Sequence, residues 1–173
     1  MKLQTRKYNM PHIQLLDSSK AQQIIKRMAY EIYENNIDEK EITLIGIQER
    51  GVDIAHLLQK EIEEISKLKI VTASIDIDKN NPLNPKITDK IKIANKNIIV
   101  VDDVANSGKT ILYALKCLLH EIPKKIQIAV LIDRKHKLFP ISSDFIGMQI
   151  STTLKEHIKV IVEKGNIVAA ILE

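Results

Sequence analysis

A chain of 173 residues with 45% hydrophobic and 28% charged residues is long enough to bury a real core and too apolar to stay disordered. The net charge of +4 suits anionic ligands without demanding nucleic acid, and a single cysteine excludes an internal disulfide framework. No run reaches the roughly 20 apolar residues of a membrane helix, and no apolar stretch follows Lys2, Arg6 and Lys7, so a cytoplasmic protein is expected. With two Phe, four Tyr and no Trp, the core must be built from Ile, Leu and Val.

Residues 1–11 show no periodicity, and 12–16 suit a short strand. Asp17-Ser18-Ser19 then supplies helix-start residues, with Ser19 and Gln22 spaced as a capping box. Ile24, Ile25, Met28, Ala29 and Ile32 recur at helical spacing up to Asn35-Asn36, with Lys26 and Arg27 on or near the opposite face. Residues 41–47 read as a strand and 51–65 as an amphipathic helix. Between them, Gln48-Glu49-Arg50-Gly51 is a candidate anion turn: Gly51 permits a tight backbone and Arg50 offers a charged fork, though an R-G pair also occurs in plain turns.

Residues 69–77 form the next expected strand, and then the pattern breaks. The stretch 78–93 carries Asn80-Asn81-Pro82 and Asn84-Pro85 among several lysines, too polar and proline-punctuated for an interior element, as in segments that act as lids.

The stretch 97–112 reads N-I-I-V-V-D-D-V-A-N-S-G-K-T-I-L. A β-branched run, residues 98–101, suits a strand buried on both faces. It meets Asp102 and Asp103, then a small polar turn containing Gly108, then a helical pattern with Ile111, Leu112, Leu115, Leu118 and Leu119 on one side and Cys117 within it. Backbone amides at such a turn favour a phosphate, Gly108 allows close approach, and the Ser107 and Thr110 hydroxyls add donors. Adjacent carboxylates bind phosphate poorly but accept hydrogen bonds from vicinal hydroxyls. Acids beside a phosphate turn therefore suggest a ribose carrying a 5′-phosphate. The rival reading is a strand–helix unit whose acids merely cap the helix. The Walker A pattern is absent.

After the turn, 126–132 reads as a strand leading into Asp133-Arg134-Lys135-His136-Lys137, where His136 has no second His or Cys at ligand spacing. Residues 143–147 (S-D-F-I-G), 160–163 and 167–172 read as short closing strands, the last two as a hairpin around Lys164-Gly165-Asn166.

The run Val100-Val101-Asp102-Asp103-Val104-Ala105-Asn106-Ser107-Gly108-Lys109-Thr110 resembles the phosphoribosyl diphosphate (PRPP) motif of type I phosphoribosyltransferases. Together with 45–51, 129–136 and Asp144-Phe145-Ile146-Gly147, it is similar to the bifunctional pyrimidine-operon attenuator and uracil phosphoribosyltransferase branch, over roughly residues 15–162. The resemblance implies a three-layer α/β fold, with a central, mainly parallel sheet flanked by helices and a small hood. It implies one domain over 1–173, its core at about 15–135 and 158–162, its hood drawn from the N-terminal, 136–157 and C-terminal segments.

It further implies transfer of phosphoribose from PRPP to a nitrogen base, most closely uracil. Asp102 and Asp103 would hold the ribose, and Ala105, Asn106, Ser107, Gly108, Lys109 and Thr110 the 5′-phosphate. Glu49, Arg50 and Gly51 would form the diphosphate loop. Phe145, Ile146, Asp133 and Arg134 would face the base, Phe145 and Ile146 being equally readable as core residues. Mg²⁺ would bind mainly through PRPP, with Asp102 and Asp103 as possible ligands.

Two departures from the resembled families stand out. Asn106 replaces the acid of hypoxanthine and guanine enzymes. Lys79, in a shortened loop, stands where the pyrimidine branch carries a Tyr-Arg pair, and lysine does not reproduce a bidentate arginine. The alternatives are a PRPP-binding protein with little turnover, and an RNA-binding regulator using Lys26, Arg27, His136 and Lys137. A homodimer or higher homo-oligomer is implied by the resemblance alone.

Overall fold

The computed structural model describes residues 13–151 and 156–173. The expectations for 1–11 and for His12 lie outside the described residues. The elements run β1 (Ile13–Asp17), α1 (Ser18–Glu34), β2 (Glu41–Ile47), α2 (Gln48–Ile65), β3 (Lys69–Asp76), β4 (Lys86–Ile87), β5 (Asn97–Ala105), α3 (Lys109–Leu115), β6 (Lys125–Arg134), β7 (Phe145–Ile150), β8 (Ile158–Glu163) and β9 (Asn166–Leu172).

β-branched runs such as Ile98 to Val101 make poor solvent-facing strands, and here β5 is buried along nearly its whole length. It lies inside a six-stranded sheet of order β4-β3-β2-β5-β6-β7, in which every pairing but that of β4 with β3 is parallel. α1 and α2 cover one face. Met28, Ile32, Ile54, Leu58 and Ile62 are shut away from water there, each contributing about 1.5–3 kcal/mol of burial. The other face is covered by the short α3 and the segment before β5, through Ile93, Ile111, Ala114 and Leu118. Among the described residues no helix is long and apolar enough to cross a membrane.

The boundaries show where pattern reading slips. The cap of α1 is Asp17, whose carboxylate accepts from Lys20 N at 2.8 Å, rather than Ser19, which lies inside the helix. α2 begins at Gln48, so Gln48, Glu49 and Arg50 form its first turn instead of a loop ahead of it. α3 ends at Leu115 and passes into a 3₁₀ turn, which leaves Leu119 67% exposed rather than in the apolar stripe.

Two placements differ from the expected core and hood. Residues 158–162 belong to β8 of a separate antiparallel sheet, β1-β9-β8, and not to the main sheet. β7 is not a hood strand but pairs in parallel with β6, from Ala129 opposite Phe145 to Arg134 opposite Ile150. The physical reason is edge competition: β6 offers a free parallel edge to 145–150, while 158–172 folds back on itself through a tight turn. That turn takes positive φ at Lys164 (50°) and Gly165 (75°) and pairs β8 with β9, the hairpin expected from the sequence.

Parallel strands bring their C-terminal ends to one edge of the sheet. Ile47, Asp76, Asp102 and Asp133 therefore end on the same side, where ligands of open α/β sheets bind.

Candidate functional site

Two clefts open at that edge and share one wall. The first, about 130 Å³, is lined by Asp102, Asp103 and 104–111, together with Lys79 and Ile158. The second, about 400 Å³, is lined by Ile47, Gln48, Glu49, Arg50, Asp76 and Lys79 and again by Asp102 and Asp103. The two acids and Lys79 thus stand between a small polar turn on one side and an arginine-bearing helix start on the other.

The chain fixes the acids through its own backbone. One oxygen of Asp102 accepts from Asp103 N at 2.9 Å, and one oxygen of Asp103 accepts from Val104 N at 2.9 Å. Asp102 is 5% exposed; burial, and secondarily the charge of Asp103, hold its carboxyl well above the usual carboxylate range, with Lys79 opposing the shift. A carboxyl in that state is poised to ionise when hydroxyl donors or a cation arrive.

In the turn, Gly108 adopts φ 83°, a left-handed conformation that costs other residues strain, and a side chain there would press on Ile141. Ser107 carbonyl accepts from both Leu138 N and Phe139 N at 3.0 Å, so the loop after β6 holds the turn in shape. α3 is only seven residues long, so the donors this turn presents are its amides, the Ser107 and Thr110 hydroxyls and Lys109 more than a helix dipole.

Gly51 matters for a reason other than a tight turn. A side chain there would meet Val101 O at 2.4 Å, so its absence lets the first turn of α2 lie directly on β5, beside Asp102. That approach carries Glu49 and Arg50 to the second cleft. Arg50 reaches Asp53 on its own helix at 3.4 Å, a long, half-exposed contact, and lines the second cleft. Glu49 lines the same cleft and tempers its positive field.

The residues expected to face the base are not brought to these clefts. Phe145, 3% exposed, points into the core beneath α1, and Ile146 packs with the apolar cluster on the other face of the sheet. Successive strand residues face opposite sides, so neither is directed to the sheet edge. Asp133 is buried in a network instead: Lys137 Nζ donates to its Oδ1 at 2.6 Å, with Ser143 Oγ at 3.3 Å and Gln149 Nε2 at 3.4 Å. Arg134 donates to Asn106 Oδ1 at 3.1 Å and so braces the turn from outside. In their place Ile158, from the small sheet, overhangs the first cleft.

Three more residues have roles that the sequence reading did not give them. Gln48 has φ 52°, unusual for a residue with a side chain, and its amide donates to Ile77 O, tying the start of α2 to the end of β3. Asp76 lines the second cleft. Lys137, 16% exposed, donates to Asp133, to Arg134 O at 2.6 Å and to Ala105 O at 3.1 Å, joining the ends of β5 and β6. Local sequence signals none of these roles, since each depends on which strand lies alongside.

The same bonds engage two of the four expected RNA-contacting residues, Arg27 remaining 46% exposed. Lys137 is occupied inside, and Arg27 donates to Gly147 O at 2.6 Å and Ile146 O at 3.0 Å, besides pairing with Glu31, so it serves the edge of β7. The expected lid is also partly fastened. β4 pairs with Ile75 and Asp76, Thr88 N donates to Ser74 O at 3.0 Å, and Asp89 accepts from Ser74 N at 2.8 Å. This leaves 78–85 as the portion bridging from β3 across the cleft.

Comparison with known proteins matches this geometry. The phosphoribosyl transferase domain family matches residues 13–163. The chain is 37% identical over 164 residues to the "Bifunctional protein PyrR" of Leuconostoc mesenteroides subsp. mesenteroides, covering 90% of this chain and 94% of that protein. It is 37% identical over 161 residues to the protein of the same name from Clostridium novyi, covering 87% and 90%. Among solved structures, the hypoxanthine phosphoribosyltransferase of Trypanosoma cruzi superposes with a TM-score of 0.76 at 15% identity, over 90% of this chain and 94% of that one. A hypoxanthine-guanine phosphoribosyltransferase from Bacillus anthracis gives 0.69 at 22% identity, over 79% and 81%. At those identities the likeness concerns the fold. The domain match and the curated relatives go further: the chain belongs to the phosphoribosyl transferase domain family.

Proposed function

We propose that the protein transfers the 5-phosphoribosyl group of PRPP to uracil, releasing diphosphate. The observation that carries this reading is the shared wall: Asp102, Asp103 and Lys79 stand between a phosphate-sized polar cleft and a cleft bearing Arg50. PRPP has that order of parts, a 5′-phosphate, a ribose with two vicinal hydroxyls, and a diphosphate on C1.

In this arrangement Asn106 to Thr110 hold the 5′-phosphate, and Asp102 and Asp103 accept from the ribose hydroxyls. Arg50 draws the diphosphate into the second cleft. The C1–O bond breaks with its electron pair leaving on diphosphate, the uracil N1–C1 bond forms, and the N1 proton is lost to solvent or a leaving oxygen. Positive charge gathers on the ribose ring between these steps. Two carboxylates held beside it by backbone amides favour that charge without reorganising. Ile158 lines the cleft that takes the 5′-phosphate and gives it one apolar wall.

Among the described residues no group of three or more His, Cys, Asp or Glu is arranged to cage a metal. Two adjacent acids fit Mg²⁺ of the kind held by one or two carboxylates and substrate oxygens. Bound in that way, it would neutralise charge on the departing diphosphate.

Asn106 supports a pyrimidine over a 6-oxopurine, since its amide carbonyl already accepts from Arg134 and carries no charge to offer a purine proton. A second reading, PRPP binding with little turnover, is favoured by one observation. Lys79 supplies the lid's charge as a point cation, on a segment whose far half is fastened to β3.

The test is an assay with labelled PRPP, Mg²⁺ and separately uracil, hypoxanthine, guanine, adenine and orotate, following nucleotide and diphosphate together. UMP formed with uracil alone is the expected result. PRPP bound without conversion of any base selects the second reading.

A further inference from the structure

A third concavity lies away from both clefts. It is about 1060 Å³, between residues 83–93 and the end of α3 with the turn after it. Its lining includes Lys86, Lys90, Lys92 and Lys116, against one aspartate, Asp89, in a chain whose net charge is only +4. Asp89 offsets one of these four charges and stays ionised, its carboxylate accepting from Ser74 N, Ser74 Oγ and Thr88 Oγ1 at 2.8, 3.1 and 2.9 Å, so the lining remains positive. The side chains of Lys86, Lys90 and Lys92 form no hydrogen bond or ion pair among the described residues. Lys116 Nζ donates to Leu83 O at 2.8 Å and closes one end.

Beneath the lysines lies an aliphatic floor. Ile87 and Ile91 are only partly buried and stay open to the groove, beside Cys117. Cations around an apolar floor, in a volume at the upper end of the small-molecule range, suit an anion that carries a flat or apolar body. A second copy of the chain would bring like charges together here, which disfavours self-association. Single-stranded nucleic acid uses aromatic platforms for its bases, and the groove carries no Phe, Tyr or Trp, only the imidazole of His120.

We propose that this groove is a second ligand site that takes a nucleoside polyphosphate, with the lysines on its phosphates and Ile87 and Ile91 under its base or sugar. The groove and the clefts share one covalent segment: Lys79 lines both clefts, and Leu83, four residues on, begins the groove wall. Because 86–89 is already fastened to β3, a ligand held there reaches Lys79 through Leu83 and Asn84, the groove-lining end of the 78–85 stretch, and it regulates PRPP binding by fixing where that lysine stands.

Equilibrium dialysis of the full chain against labelled ATP, GTP and inorganic tripolyphosphate tests this without relying on catalysis. The expected result is saturable binding of ATP or GTP, tighter than that of tripolyphosphate. Lys90→Gln/Lys92→Gln should weaken it by roughly tenfold or more, the loss for a missing charge-assisted contact, while labelled PRPP binding without nucleotide stays unchanged. Occupancy of the groove should also shift PRPP affinity in the wild type and not in the double variant. Absence of saturable nucleotide binding overturns the proposal, as does tripolyphosphate binding equally well. So does nucleotide binding that survives Lys90→Gln/Lys92→Gln but is lost in Arg50→Gln, which would assign it to the clefts. An RNA oligonucleotide that binds where ATP and GTP do not would make the groove a nucleic-acid surface instead.

Discussion

The two ends of the parallel sheet use the same residue types in opposite ways. At the N-terminal end Glu41 and Glu39 each meet a cation. Glu41 sits between Lys69 at 2.7 Å and Lys96 at 2.6 Å, and Glu39 pairs with Lys124 at 2.7 Å. Hydrogen bonds from Lys69 and then Lys96 draw the Glu41 carboxyl down to about 2. At the C-terminal end Asp102 and Asp103 stand side by side, and Asp102 is pushed up by burial and by its neighbour. Lys79 is close enough to oppose that shift, yet among the described residues it forms no ion pair with either acid. Charge is settled where the fold needs holding and left unsettled where a ligand is to settle it.

Lys137 sharpens the contrast, because it is a fully settled pair at the unsettled end. Lys137→Met leaves the Asp133 carboxylate buried without its cation and frees the Ala105 carbonyl, and it should cost about 3–5 kcal/mol of stability. The urea midpoint reads it. A midpoint equal to wild type would place Lys137 with the exposed lysines and remove the distinction.

Asp102→Asn should do the reverse. Phosphoribosyl transfer should fall by about 10²-fold, because the ribose loses an oriented acceptor, while stability is unchanged or higher. The folded-state pKa of Asp102 is raised, so its protonated form is the comfortable one. Wild-type stability is greatest below the unfolded value near 3.8 and declines as pH rises through the raised value. Asn removes that decline. Thermal melts of both proteins across acid to neutral pH check it, and parallel pH profiles would refute the burial argument.

Glu41→Gln carries the smallest effect, below about 1 kcal/mol at neutral pH, as expected of pairs open to solvent. Its signature is the sign of the pH dependence. Glu41 has a depressed folded pKa, so its contribution is present above about 4.5 and is lost as pH falls toward about 2. The wild-type advantage over the variant should vanish in that window and not on the alkaline side.

The site divides along the same line between what is contiguous in the chain and what is not. The acids, turn and helix start from Asp102 to Thr110 follow one another in sequence, so their chemistry could be read before any fold was known. Arg50 and Gly51 were legible as a pair, although the reason for Gly51 was not: it is the carbonyl of Val101 that leaves no room for a side chain. Phe145 and Ile146 could be read either as base contacts or as core residues, because a motif fixes residue identity, whereas strand register fixes which way a side chain points. Ile158 and Lys137 carried no signal, since an isoleucine in a strand and a lysine in a basic loop are ordinary until another strand is laid beside them.

By itself, the sequence determined the alternation of buried parallel strands with amphipathic helices, the hairpin at Lys164-Gly165, and the run of acids and polar turn from Asp102 to Thr110. All of these rest on periodicity, turn chemistry and neighbours within a few residues. Tertiary structure alone decided that 158–163 leaves the main sheet to overhang the cleft, that Asp133 is spent on Lys137, and that two clefts share the wall of Asp102, Asp103 and Lys79. Those outcomes depend on competition between distant segments for the same sheet edge and the same counter-charge, and that competition is settled only when the chain closes on itself.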